Sequence, residues 1–192
     1  MASAPSTTNR TFARSSESRA FEIFWRSLRG ENLIPRRAEF HPGKARNLIS
    51  DLVLVEAPDG HGESLRIRVT GGRFDELIGS DLTGCNPADF LPSAHRADAI
   101  ESARVVFETP CGLWQVSPAH LVRGYAMHLE ITMLPLAPDR DGSQFLLCHV
   151  RSLGDLMRAH LPTPNGLGLD TAAAFEFLDV GAGVPRWAEQ AA

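Results

Sequence analysis

The chain has 192 residues, 43% of them hydrophobic, which suffices for one buried core, so we expect a single domain with tails. Its formal net charge of -4 argues against the clustered basic surface that binds nucleic acid. The cysteines, Cys85, Cys111 and Cys148, are far apart and lack C-x-x-C spacing, which argues against a disulfide framework or a structural zinc site. No apolar run is long enough to span a bilayer, and we expect a cytoplasmic protein with reduced thiols.

The first predicted element is an amphipathic helix. Residues 1–18 are rich in Ser, Thr, Ala and Arg without an apolar stretch, so we expect a disordered leader and not a secretory signal. Four large apolar residues then follow at i, i+3, i+4 and i+7, and Gly30 and Pro35 supply stop signals. This helix face must cover an apolar surface of its own chain or of a partner, and its residues are our interface candidates: Phe21, Phe24, Trp25 and Leu28.

Two strands are expected next. A short helix is predicted over 42–49, before the strand LVLVEA at 52–57. The segment LRIRVTG at 65–71 alternates apolar and polar residues, which indicates a strand with one buried face. The Gly- and Pro-containing turn between them favours a hairpin.

Helical segments occupy the middle of the chain. From 72 to 91 we expect short helical pieces, because Gly79, Gly84 and Pro87 interrupt the pattern. Pro92 opens a longer helix that runs to about Glu108. The residues expected to share its buried face are Ala97, Ile100, Ala103 (or Arg104) and Phe107.

Three further strands are predicted at 113–122, 126–136 and 144–152. Pro118 lies within 113–122 and indicates that this strand is an edge strand or is bulged. The last is apolar on both faces, so we expect it in the middle of a sheet that is covered on both sides. Beyond it, 161–169 is rich in Pro and Gly and is interpreted as a linker, and 170–178 as a short helix capped by Asp170 or Thr171. The expected division is a leader at 1–18, a domain at 19–153 and a tail at 154–192.

This order of elements, and several segments within it, resembles the PAS domain. The segments are FWRSLRGENLIPRRAEFHP, RVTGGRFDELIGSDLTG, YAMHLEITMLPLA and QFLLCHV. They are similar to a subfamily of small stand-alone PAS proteins of proteobacteria, especially of the alpha group. The resemblance covers about 21–152 and implies an α+β fold with a five-stranded antiparallel sheet in the order 2-1-5-4-3. It also implies helices on one face and the N-terminal helix as a lid or a dimer contact.

The resemblance raises the question of a cofactor. PAS flavin photosensors resemble one another in a Gly-x-Asn-Cys-x-Phe-Leu box, but here Cys85 precedes Asn86 and Pro87 takes the reactive place. We therefore do not expect flavin–thiol photochemistry. Haem-binding PAS domains offer a helix histidine, but His95 lies at a helix N-terminus, where a solvated side chain is the simpler interpretation.

Catalytic and metal chemistry have weak support. His128 and His149 come from neighbouring strands, yet a third metal ligand is not obvious. Cys85 is a candidate redox sensor, although Asp81 and Asp89 would raise the pKa of its thiol. The chain lacks a Gly-x-Ser-x-Gly elbow and a phosphate-binding loop, so we do not expect an enzyme.

We therefore expect a sensory or regulatory module of bacterial signal transduction, without an output domain of its own. A small apolar ligand would lie between the sheet and the helical segment 74–107. Candidate lining residues are Phe74, Leu77, Ile78, Leu82, Phe90, Ile100, Met127, Leu129, Ile131 and Leu147. Plain core is the competing interpretation of these residues. The signal would leave through a partner protein or through a homodimer. The alternative is an interaction adaptor with a filled core that recruits a signalling protein through the outer sheet face or 170–178; a redox- or metal-dependent protein is the third hypothesis.

Overall fold

The computed structural model describes residues 11–45, 47–60, 64–121, 124–158 and 166–185, apart from the side chains of 155 and 156. The helices are α1 (Ser16–Leu28), α2 (Gly72–Ile78) and α3 (Ser93–Glu108). The strands are β1 (Leu52–Ala57), β2 (Arg66–Thr70), β3 (Gly112–Leu121), β4 (Tyr125–Leu136), β5 (Gln144–Arg158), β6 (Leu167–Leu169) and β7 (Ala174–Leu178). Short 3-10 helices lie at Arg37–Glu39, Pro42–Ala45, Ile49–Asp51 and Pro87–Phe90. Within the described residues, no helix has both the length and the apolar character needed to cross a membrane.

All seven strands pair antiparallel in one sheet. The order β2-β1-β5-β4-β3 confirms the predicted topology, and β6 and β7 pair with the remaining side of β3. The central strand β5 pairs with β1 on one side and with β4 on the other. Its two apolar faces explain this position, because consecutive side chains of a strand point to opposite faces and both faces are covered.

The sheet separates two apolar cores. The inner core lies between the sheet and α2 and α3, and includes Val53, Val55, Phe74, Phe90, Val106, Leu113, Leu129, Leu146, Cys148 and Val150. The outer core lies between the sheet and α1, and includes Phe21, Trp25, Leu28, Phe40, Leu54, Trp114, Val116, Leu134, Leu136, Phe145 and Leu147.

Helix α1 covers the sheet of its own chain. Phe21 and Trp25 have no exposed surface, Leu28 is buried, and the Trp25 indole nitrogen donates to the Pro135 carbonyl oxygen at 2.9 Å. Phe24 is half-buried, and its ring meets Phe40 edge-on. Three of the four interface candidates are therefore core residues of this chain and do not lie on its surface, and the lid alternative describes α1. Gly30, with φ 56°, ends the helix in the left-handed conformation that glycine adopts most readily.

The N-terminus of α1 is tied to β4. Ser15 caps the helix, because its hydroxyl accepts from the Ser18 amide at 3.1 Å. The Ser15 amide and hydroxyl both donate to the carboxylate of Glu130. The expected disordered leader was therefore drawn too long, since α1 begins at Ser16; residues 1–10 lie outside the described residues.

The expectations of a linker at 161–169 and a helix at 170–178 were wrong where the structure describes them. Residues 166–178, which we call the strap, form β6 and β7 along β3. The unpaired edge of β3 offers backbone donors and acceptors to the strap, and this pairing overrides the helix propensity of the alanines. Pro118 lies where β6 gives way to β7, and its carbonyl accepts from the Asp170 amide at 2.9 Å. The strand β3 is therefore not an edge of the sheet.

Candidate functional site

A half-open cavity of about 280 Å³ lies between the sheet and α3. Its floor is the inner face of the sheet, to which β4 contributes Leu129, Ile131 and Met133. The next strand, β5, contributes Leu146, Cys148 and Val150. These side chains share one face because they alternate along their strands with residues that face α1. The floor is therefore almost entirely apolar.

The structure places some of the predicted lining residues at this cavity. Phe74, Phe90, Leu129 and Ile131 line it. Ile78, Leu82 and Met127 are buried in the inner core without lining it, and Leu77 packs against that core.

Leu147 and Ile100 need correction. Leu147 lies in the outer core, because its neighbours Leu146 and Cys148 take the inward positions of β5. Ile100 is half-buried on α3 and does not line the cavity. The lining face of α3 is instead His95, Asp98, Ala99, Ser102, Ala103 and Val106. Hydrophobic periodicity identified this face only in part: Ala103 lines the cavity and Phe107 is buried in the inner core, but Ala97 is exposed. The polar lining residues follow helical spacing without a hydrophobic signal.

The cavity also has polar lining residues. Ser102 and Asp98 come from α3, Gln115 and Ser117 from β3, and Asp170 from the strap. The Gln115 side-chain amide donates to the Ser117 hydroxyl at 3.4 Å. The lining residues that the structure describes include neither arginine nor lysine. The described lining can therefore offer hydrogen bonds but carries no permanent positive charge.

Sequence reasoning missed the contributions of β3 and the strap. Gln115 and Ser117 alternate with Trp114 and Val116, which face α1, so both polar residues take inward positions. Polar residues at inward positions of a strand were an available signal, but the prediction for this strand rested on Pro118, which indicated an edge or bulged strand. The strap was missed because it was interpreted as a linker and a helix.

A second, polar pocket of about 210 Å³ lies where α1, α2 and β5 meet. Arg73 pairs with Asp51, and Arg151 pairs with Glu17, each at 2.5 Å. His149 is 2% exposed, and its ring stacks on Phe21 with the centroids 5.5 Å apart. These opposite charges are already paired, so the cluster links α1 and α2 to the sheet.

The thiols and histidines considered for redox or metal chemistry lie apart. Burial raises the pKa of Cys148 to about 12, and burial with the nearby Asp179 raises the pKa of Cys111 to about 11. Cys85 is half-buried against the inner core. His128 packs on Phe12 with ring centroids 4.9 Å apart, and His149 packs on Phe21. Among the described residues, no three His, Cys, Asp or Glu side chains are grouped so as to hold a metal ion.

Comparison with known proteins bears on the fold. The family model described as "PAS domain" matches residues 13–150. A solved structure of a fungal LOV domain photoreceptor is 19% identical to this chain, with a TM-score of 0.42. The match covers 54% of this chain and 76% of the photoreceptor chain. No curated protein matches the chain. The strap lies beyond the residues that the family model matches.

Proposed function

Because the chain belongs to the PAS domain family, we propose that it is a sensory module of bacterial signal transduction that binds a small, largely apolar ligand in the inner cavity. The signal then passes to a partner protein or to a second copy of the chain. The module acts by binding and carries out no reaction of its own.

The observation that carries this proposal is the cavity itself. Protein cores are packed almost without voids, so an apolar opening of about 280 Å³ favours an occupant over plain core. Its size is close to the lower end of the range of small-molecule sites, about 300–1,000 Å³. An apolar floor with a few polar lining groups is also the usual composition of such sites.

The open cavity favours a ligand sensor over an adaptor with a filled core. The outer sheet face, which the adaptor hypothesis offered to a partner, is covered by α1. Flavin–thiol photochemistry forms no part of the proposal, because Cys85 precedes Asn86 and Pro87 follows it.

Native mass spectrometry of the protein purified from its own host tests ligand binding. We expect a retained small molecule, and the variant Ala99→Phe should abolish retention because Ala99 lines the cavity and a phenyl ring would fill it. Ala97→Phe is the matched control, since Ala97 is exposed on the same helix and does not line the cavity. A clean apo mass, with no thermal stabilisation by any apolar compound of a screened library, would count against the sensor form.

Light scattering after size-exclusion chromatography tests self-association. If the signal leaves through a second copy, the mass should be that of a dimer, or should change when the cavity is occupied. A monomer in both states would assign the signal to a different protein.

A further inference from the structure

The strap forms one wall of the cavity. It contributes Leu167, Leu169, Asp170, Thr171, Ala172 and Phe175 to the lining. No other segment outside the matched range 13–150 contributes a described lining residue. The wall therefore lies outside the residues on which the family membership rests.

The strap is fixed in place at several points. Both of its strands pair with β3 in register, and Asp170 binds the His120 ring nitrogen Nε2 at 2.9 Å. Gly166 has φ +85°, and a Cβ added there would meet the Ser80 hydroxyl at 2.3 Å, so this end of the strap lies against the loop after α2. A wall held in this way can discriminate between ligands.

Histidine aside, the charged side chains among the described lining residues are both acidic: Asp170 of the strap and Asp98 of α3. His95 and the uncharged Ser102 and Gln115 line the cavity as well, and His120 binds Asp170. No described lining residue is an arginine or a lysine that could neutralise an anionic ligand. A carboxylate ligand would therefore approach two carboxylates without an arginine or a lysine of the described lining to pair with.

We propose that the strap is the specificity-determining wall of the cavity, and that with Asp98 it selects ligands whose apolar body ends in an alcohol or an amine over those that end in a carboxylate. This inference rests on the proposed function, because it presumes that the cavity binds a ligand. The apolar body lies on the floor of β4 and β5. The polar group of the ligand meets the polar lining residues of α3, β3 and the strap, where neutral hydroxyl and amide groups bind an alcohol and Asp98 and Asp170 attract an amine.

A matched set of three amphiphiles tests the selection. Displacement of the neutral dye N-phenyl-naphthylamine from the full chain is measured with octanol, octylamine and octanoate at neutral pH. We expect octanoate to bind about fivefold more weakly than octanol, a modest factor because both carboxylates are exposed to solvent. Octylamine should bind at least as well as octanol.

Charge-neutralising variants test whether the strap sets the ligand specificity. Asp170→Asn should bring the affinity for octanoate closer to that for octanol and should weaken the binding of octylamine. The double variant Asp170→Asn with Asp98→Asn should bind octanoate and octanol with equal affinity. Glu176→Gln is the matched control, because Glu176 lies on β7 of the strap, is exposed and does not line the cavity. Its affinities for the three amphiphiles should equal those of the unchanged protein.

The outcomes separate the two proposals. If neither the dye nor any amphiphile binds, the proposed function fails and the inference falls with it. If all three amphiphiles bind equally, or if Asp170→Asn behaves as Glu176→Gln does, the strap does not set specificity while ligand binding stands.

Discussion

Glu130 shows how a single buried side chain can fix a whole helix. Its carboxylate is fully buried on β4 and accepts from the Ser15 amide and hydroxyl and from the Trp114 indole nitrogen, the last at 2.8 Å. A buried carboxylate is costly unless donors surround it, and here the donors are the N-cap of α1 and a tryptophan of the outer core. The carboxylate therefore specifies where α1 begins on the sheet.

Replacing Glu130 should destabilise the protein strongly. Glu130→Ala leaves the Ser15 amide and the Trp114 indole without their acceptor, and we expect a loss of about 3 kcal/mol in the free energy of unfolding. Urea denaturation measures this loss, with Glu31→Ala as the exposed control. Equal midpoints for the two variants would show that the contact carries no net stability.

His149 links stability to pH. Burial lowers the pKa of His149 below its ordinary value of 6.5; Asp51, Glu130 and Glu17 oppose this shift, and Arg151 adds to it. The unfolded chain then binds the proton more readily than the folded chain does. The contribution of the neutral ring is fully present above pH 6.5 and is lost as the pH falls from there through the lower, folded value.

Removing the imidazole should reduce the change of stability with pH in this range. His149→Phe keeps an aromatic ring beside Phe21 and removes the buried Nδ1, for which the described residues provide no hydrogen-bond partner. Thermal midpoints measured above and below pH 6.5 should then differ less than in the unchanged protein. His41→Phe, at an exposed histidine, serves as the control, and an equal flattening there would contradict the assignment to His149.

At the scale of elements, α1 was predictable in pattern but not in placement. The spacing of Phe21, Phe24, Trp25 and Leu28 predicted the helix and its apolar face. The same stripe could cover a neighbour's sheet, and nothing in one helix distinguishes the two arrangements. The structure places the stripe in the outer core, while Ile23 on the opposite side is 69% exposed.

A pair of variants on α1 separates a lid from an interface. Trp25→Ala should cost about 3–5 kcal/mol of unfolding free energy, as truncation of a buried tryptophan does. Ile23→Ala should stay within about 0.5 kcal/mol, as exposed substitutions do. Chemical denaturation and elution volume are measured together. Loss of a dimer by Trp25→Ala at unchanged monomer stability would instead assign the residue to an interface.

In the strap, pairing with β3 overrides the helix propensity of the local sequence. The run of alanines at 172–174 favours a helix, yet Phe175, Glu176 and Phe177 alternate as in a strand. The edge of β3 decides between these signals, and a single sequence does not show which edges remain unpaired. The same reason accounts for the interpretation of Pro118 as an edge residue.

For the whole molecule, the central place of β5 was predictable, because two apolar faces require covering on both sides. The sheet order came from the resemblance to the PAS domain. The cavity was predictable only in part. Leu129 and Ile131 were found by their alternation along a strand. Phe74 and Phe90 were found because the fold that the resemblance implies places their helical segments over the sheet. The α3 face, the inward residues of β3 and the strap depend on how separate segments pack, so periodicity within each segment could not identify them.

Occupation of the cavity should stabilise the whole fold. A ligand that binds only the folded state at ten times its dissociation constant adds about 1.4 kcal/mol. Octanol should therefore raise the thermal midpoint of the unchanged protein and should not change the thermal midpoint of Ala99→Phe. An equal shift in both would indicate non-specific binding to the surface.

The backbone groups at the two ends of the sheet limit how this protein can assemble with others. At one end the strap lies along β3; at the other, the loop at 84–85 exchanges hydrogen bonds with Ile67 of β2, between the exposed Arg66 and Arg68. Extended peptides recruit or polymerise with a protein by adding to a bare strand. Within the described residues both sides of β3 are paired and Ile67 of β2 is bonded, so a strand added beside β3 could pair only with the outer sides of the short strands β6 and β7.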